Sequence, residues 1–242
     1  MPVYRRLLRQ PLAVIAGAAL LVLAMAALAA PWIAPRSPDA VDPRSMLRPP
    51  GVGGWLGTDD IGRDVLIRLL YAGRASLLLG LGVAVVSVGC GGLLGVLAGG
   101  LRGWVDAAVS AAVDALLSVP TLALAMVAAA FIPLTPWRLI LVLSLLSWTT
   151  IARLVRGQVF TLLEWPFVEA ARALGASRAR ILARHLVPNL LAPVLVAGTL
   201  LVANAILIES ALSFLGFGVP PPTATWGGML YSAQIHFIDR LL

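Results

Sequence analysis

The chain has 242 residues, of which 60% are hydrophobic and 12% charged; its mean hydropathy is +0.95. A soluble domain carries roughly 25% charged residues, so this composition excludes an ordinary water-soluble globule and fits a chain whose solvent is lipid. The net charge of +7 needs no nucleic-acid partner, because the cytoplasmic loops of membrane proteins hold arginine.

A membrane span requires about 20 mainly apolar residues. The first uncharged window covers residues 10–35 and follows Arg5, Arg6 and Arg9, which predicts a cytoplasmic N-terminus. "ALA" at 27–29 resembles a signal-peptide cleavage site, but the apolar run is too long and four more spans follow, so an uncleaved helix is expected. The second window covers 75–101. Within it Ser87, Gly91, Gly95 and Gly99 recur every four residues, placing small groups on one helix face for close packing, within this chain or against a second subunit. Cys90 is the single cysteine and makes no intrachain disulfide.

Windows 115–137 and 139–152 supply the third and fourth spans, the latter extended to about residue 157 by snorkelling of Arg153 and Arg156. Asp106 and Asp114 fall near the inner end of the third, where an interfacial role is expected rather than an ion site. The fifth span covers 185–208, with Glu209 expected at headgroup level at its outer end. The window 210–238 is broken by Pro220-Pro221-Pro222 and paired glycines and is not expected to span. Alternation places ten arginines inside and seven outside, which agrees with the N-inside orientation. His236 has no second histidine or cysteine near it, so no metal is expected.

Between the fourth and fifth spans lies "EAARALGASRARILARHLVPN" (169–189), the densest basic stretch. A helix is predicted over 167–174, an interruption at Gly175, an N-cap at Ser177, a second helix over 178–186, and the next span from Pro188. Charge alone leaves two readings open: a loop anchored on phospholipid headgroups, or a docking element for a soluble partner.

The spacing of Glu169, Ala170, Ala171, Gly175 and Pro188 resembles the EAA loop of ABC importer permeases. His185 departs from the branched aliphatic residue often found there, although "RHLVPN" is similar to strings in the peptide-importer branch. "WLGTDDIGRDVLIRLLYAGRASL" (55–77), "WTTIARLVRGQV" (148–159) and "ESALSFLGFGVPPPTATWGGML" (209–230) resemble, in order, segments of the dipeptide, oligopeptide and nickel permeases of the C-subunit type.

That resemblance implies an all-α polytopic membrane protein with the type I ABC importer permease fold. Five transmembrane helices are expected in this chain, against six in the family. It implies an N-terminal tip, first helix and outer segment over 1–74. A transmembrane domain over 75–242 would follow, with the coupling loop at 167–189 and the last helix missing. A chain truncated in this way is expected to be poorly stable or inactive in transport. Coupling to ATPase is implied for Glu169, Ala170, Ala171, Leu174, Gly175, Ala176, Ser177, Arg178 and Pro188. The implied partners are a second homologous permease, two ATP-binding subunits, an external solute-binding protein and membrane lipid. The implied place is the bacterial cytoplasmic (inner) membrane, and the implied cargo a peptide or nickel.

All 18 basic residues are arginine. A phosphate-binding loop of the Walker type needs lysine, so any ATP hydrolysis belongs to another polypeptide. No catalytic residue and no cofactor are expected. Two rival readings are an ion-gradient-driven secondary transporter, which would show paired broken helices and midplane acids, and a non-transporting membrane assembly protein.

Overall fold

The computed structural model describes residues 10–52, 54–133 and 135–241, the last seven by backbone only. Arg5, Arg6 and Arg9 and the side chain of His236 lie outside the described residues. The chain forms two compact units, Met1–Leu78 with Ser213–Leu242, and Leu79–Leu212. Nearly all regular structure is helical, as an apolar chain without water to satisfy its backbone requires. Among the described residues the only strand-like pairing is an isolated bridge between Thr58 and Asp64.

The first unit contains α1 (Pro11–Leu28), a helical turn at Ala30–Ile33, the first part of α2 (Val65–Leu101) and the last helix, Trp226–Leu241. The polar segment between α1 and α2 is ordered by its carboxylates. Asp42 accepts from Arg44 N–H and Ser45 Oγ, and these bonds hold its carboxyl below the usual range, the Ser45 bond most strongly. Asp59 Oδ1 accepts from the Ile61 and Arg63 N–H groups, while its Oδ2 pairs with Arg63 Nε at 2.6 Å. Arg68, only 7% exposed, reaches Asp39 at 3.3 Å and Asp59 at 3.8 Å. Asp64 caps α2 by accepting from Leu66 and Ile67 N–H. The Trp226 ring lies against Gly73, where a Cβ would stand 3.0 Å from its Cζ2. Trp226 N–H donates to Ser76 Oγ and its indole N–H to Leu69 O.

The second unit holds the rest of α2, then α3 (Gly103–Leu117), α4 (Thr121–Phe131), α5 (Pro136–Leu163), α6 (Pro166–Ala173), α7 (Arg178–Ile181), a π-helical turn at Leu182–Leu186 and α8 (Val187–Phe214). The final helix of the first unit is α9 (Trp226–Leu241). Among the described residues four helical stretches are long and apolar enough to cross a membrane: Pro11–Leu28, Val65–Leu101, Pro136–Leu163 and Arg178–Phe214. The count is five if α3 and α4 form one broken span.

That broken pair corrects the third expected span. Residues 115–137 do not form one helix, because the chain bends by 82° between α3 and α4. Pro120 takes φ −56° and ψ 128°, has no N–H to give to the preceding turn, and disfavours helix at Val119. The uncharged run is long enough to span, but its backbone cannot stay straight.

Ser87, Gly91, Gly95 and Gly99 all face α5. Ser87 Oγ donates to Ser144 O at 3.4 Å. A Cβ on Gly91 would collide with Trp148 O; one on Gly95 would stand 2.7 Å from Ala152 O; one on Gly99 would stand 2.7 Å from Val159 Cγ1. Close approach of the two backbones thus depends on hydrogen in place of a side chain. Asp106 and Asp114 of α3 also meet α5: Asp106 forms a forked pair with Arg156, whose Nη2 lies 2.9 Å from Oδ2, and Asp114 pairs with Arg153.

Gly95→Ala should lower the thermal midpoint of the detergent-solubilised chain, by the equivalent of about 1–3 kcal/mol for overpacking. Gly89→Ala, on the same helix with nothing within 4 Å of its Cβ position, should leave it unchanged or raise it. Asp106→Asn should destabilise more than Asp114→Asn in the same assay. The Asp106–Arg156 side chains are 19% and 34% exposed, those of Asp114–Arg153 68% and 54%, and exposed pairs contribute little.

Candidate functional site

The segment between α5 and α8 is built by a succession of local devices. Trp165 is extended (φ −79°, ψ 145°) and Pro166 occupies the first helical position, where its missing N–H costs nothing. Glu169 in the first turn and Arg172 in the last complement the helix dipole. The helix then ends in a Schellman motif: Ala176 N–H donates to Ala171 O at 3.0 Å and Gly175 N–H to Arg172 O at 2.9 Å. Gly175 has φ +81° with nothing within 4 Å of its Cβ position. Glycine is needed there for backbone conformation, not for space.

Ser177 caps α7 by accepting from Arg180 N–H. The chain then widens into the π turn, where Val187 N–H reaches Leu182 O. The next span, expected from Pro188, begins as α8 at Val187 and follows α7 and the π turn without a gap. A π turn shifts the hydrogen-bond ladder by one residue, so the missing N–H of Pro188 is accommodated without ending the helix. Asn189 Nδ2 donates to His185 O at 2.6 Å at the same junction.

Burial separates two faces. Val168, Ala171, Ile181 and Leu186 join Ile151, Val155, Val159 and Leu162 of α5 in one core cluster. Glu169, Ala170, Ala173 and Leu174 point away from that cluster and are exposed, Leu174 by 89%. Ala171, which the sequence groups with Ala170, therefore belongs to the anchoring face. Ser177, Arg178 and Pro188 are exposed and Ala176 half-buried. His185 stacks obliquely on Phe167 at 6.4 Å between centroids, and Phe167 meets Trp165 edge-on at 5.9 Å. An aromatic partner thus explains the departure at position 185.

Glu209, expected at headgroup level at the outer end of the fifth span, lies near the end of α8. It is fully buried, on the α8 face that also buries Ala205 and Leu212. Register sets this: 205, 209 and 212 are spaced four and three apart. Among the described residues no group of acids, histidines and cysteines is arranged to hold a metal.

Residues 91–238 match the family described as binding-protein-dependent transport system inner membrane component. Residues 3–50 match the N-terminal transmembrane domain of oligopeptide transport permease C. The chain is similar to a putative peptide transport system permease protein of Brucella suis biovar 1 (strain 1330), 40% identical over 235 residues, 97% of this chain and 79% of the relative. A putative peptide permease protein of the same organism is 38% identical over 212 residues, 88% of this chain and 70% of the relative. A probable D,D-dipeptide transport system permease protein of Escherichia coli (strain K12) is 34% identical over 230 residues, 95% of this chain and 77% of the relative. With one family match covering more than half the chain and these relatives nearly all of it, the chain belongs to the binding-protein-dependent inner membrane component family and is a multi-pass permease of an ABC transport system.

Proposed function

We propose that this permease forms half of the translocation path of an ATP-driven importer of di- or oligopeptides, and that segment 167–189 couples it to an ATP-binding subunit. Its other half would be a second homologous permease, with two ATP-binding subunits inside and a solute-binding protein outside. The observation that carries this reading is the division of α6 into an anchored and a free face. Val168 and Ala171 are fixed on α5, while Glu169, Ala170 and Leu174 stand exposed beside a left-handed turn at Gly175. Small alanines keep such a helix slim enough for a cleft, and an exposed leucine at its end provides apolar area to bury on docking. Arg180 and Arg184, both exposed, offer forked donors to partner carboxylates. Closure of the ATPases would move this face, and with it α5, between two rigid-body states.

The relatives named above are peptide and D,D-dipeptide permeases, which favours a peptide over nickel. Coupling on the inner side requires the N-terminus, with Arg5, Arg6 and Arg9, to be cytoplasmic. The external protein would contact the outer segment near Trp55, which is exposed, and the loop before Trp226.

Co-purification in mild detergent tests the reading. The parent permease should retain an ATPase subunit. Gly175→Pro should release it, since proline is fixed near φ −65° where the chain needs +81°, and Glu169→Lys should release it by reversing a surface charge. Leu174→Ser, at an exposed position, should weaken retention by about tenfold, as loss of a small apolar contact does, with an unchanged thermal midpoint. Absence of any ATPase from the parent preparation, or full retention by all three variants, would contradict the proposal.

A further inference from the structure

Three arginines line one cavity of about 520 Å³: Arg102 just after α2, and, from a distant segment, Arg172 in the last turn of α6 and Arg178 at the start of α7. Its apolar lining includes Leu101, Leu163 and Leu182. Among the described residues none of the three guanidinium groups has a carboxylate within 4.0 Å. Arg102 lies over the Phe160 ring at 5.5 Å, a contact that orients its charge without neutralising it. Like charges gathered around one cavity repel each other unless an anion lies between them.

The backbone around the cavity is specialised. Arg102 has φ +58°, a conformation uncommon outside glycine. A Cβ on Gly100 would stand 2.6 Å from Leu182 Cδ2, so the end of α2 lies directly against the cavity wall. The position along the membrane normal is also marked. Arg102 follows the last residue of a membrane-length helix, and Trp104, two residues on, is 82% exposed, as tryptophans at headgroup depth are.

We propose that this cavity binds a phosphate-bearing anion, supplied as the headgroup of an anionic phospholipid. Arginine forks match phosphate oxygens in pairs, and the leucines offer a surface for the glycerol and first methylenes. The site is lined by residues of this chain alone and does not depend on the ATPase-coupling reading.

The test uses the purified, delipidated full chain. Retention of phosphatidylglycerol and of phosphatidylcholine is compared by native mass spectrometry, and inorganic phosphate binding is followed separately by phosphorus NMR. Phosphatidylglycerol should be retained at least about tenfold better, and Arg102→Gln with Arg172→Gln should lower its retention about 30-fold, or about fivefold for each single variant. The single variants keep the test available should the double variant misfold. Inorganic phosphate binding with the same arginine dependence, and no preference between the lipids, would support the anion site and overturn the lipid as its source. Equal retention of both lipids without phosphate binding, or a phosphatidylglycerol preference that survives every substitution, would overturn the proposal.

Discussion

One side of α5 is the surface on which the second unit depends. Ile151, Val155 and Val159 meet the places on α2 where Gly91, Gly95 and Gly99 lack side chains, and the same three residues share a core with Val168, Ala171, Ile181 and Leu186. Lipid provides no hydrophobic drive for helix association, so this close backbone approach and its dispersion contacts must supply the cohesion. Removing side chains from α2 therefore has a consequence more than sixty residues later in the sequence: it fixes the helix on which the segment around Gly175 rests.

Local backbone requirements were readable because they depend on near neighbours. A glycine after a short alanine-rich helix, followed by serine, signals a left-handed cap and a new N-cap, and both are present at Gly175 and Ser177. The every-fourth-residue spacing of Ser87 to Gly99 is likewise a helix-face signal, and all four positions lie against one helix. Reading spans from uncharged windows failed at Pro120, because charge counting sees the solvent and not the backbone. It placed the next span's start near Pro188, where α8 begins, but not the π turn that joins α7 to it. The burial of Glu209 was not readable from its polarity; it follows from helical register with Ala205 and Leu212. Arg172 and Arg178 were visible as part of the basic stretch 169–189, but that Arg102 joins them around one cavity had no sequence signal, since only tertiary packing brings it there.

The arginines of this permease divide into groups with different physical surroundings. Arg153 and Arg156 are paired with acids on α3, which ties α3 to the C-terminal half of α5. Arg63 and Arg68 are held by aspartates in the polar segment before α2. Among the described residues, Arg102, Arg172 and Arg178 have no carboxylate within 4.0 Å. A lipid phosphate among them and an ATPase against the exposed face of α6 would use opposite sides of one short segment. Headgroup composition and nucleotide state would then act on the same element, one through its anchorage and the other through its free face.

The account holds that α6 and α5 move together, so that force applied at Leu174 reaches the spans undiminished. Spin labels at Leu174→Cys and at Leu145→Cys, both exposed, in a Cys90→Ser background, measure this by electron–electron double resonance in the reconstituted transporter. The within-chain distance distribution should be the same with and without ATP. A shift of that distribution on ATP binding, with the spans otherwise intact, would show that the segment moves independently of α5 and would contradict the account.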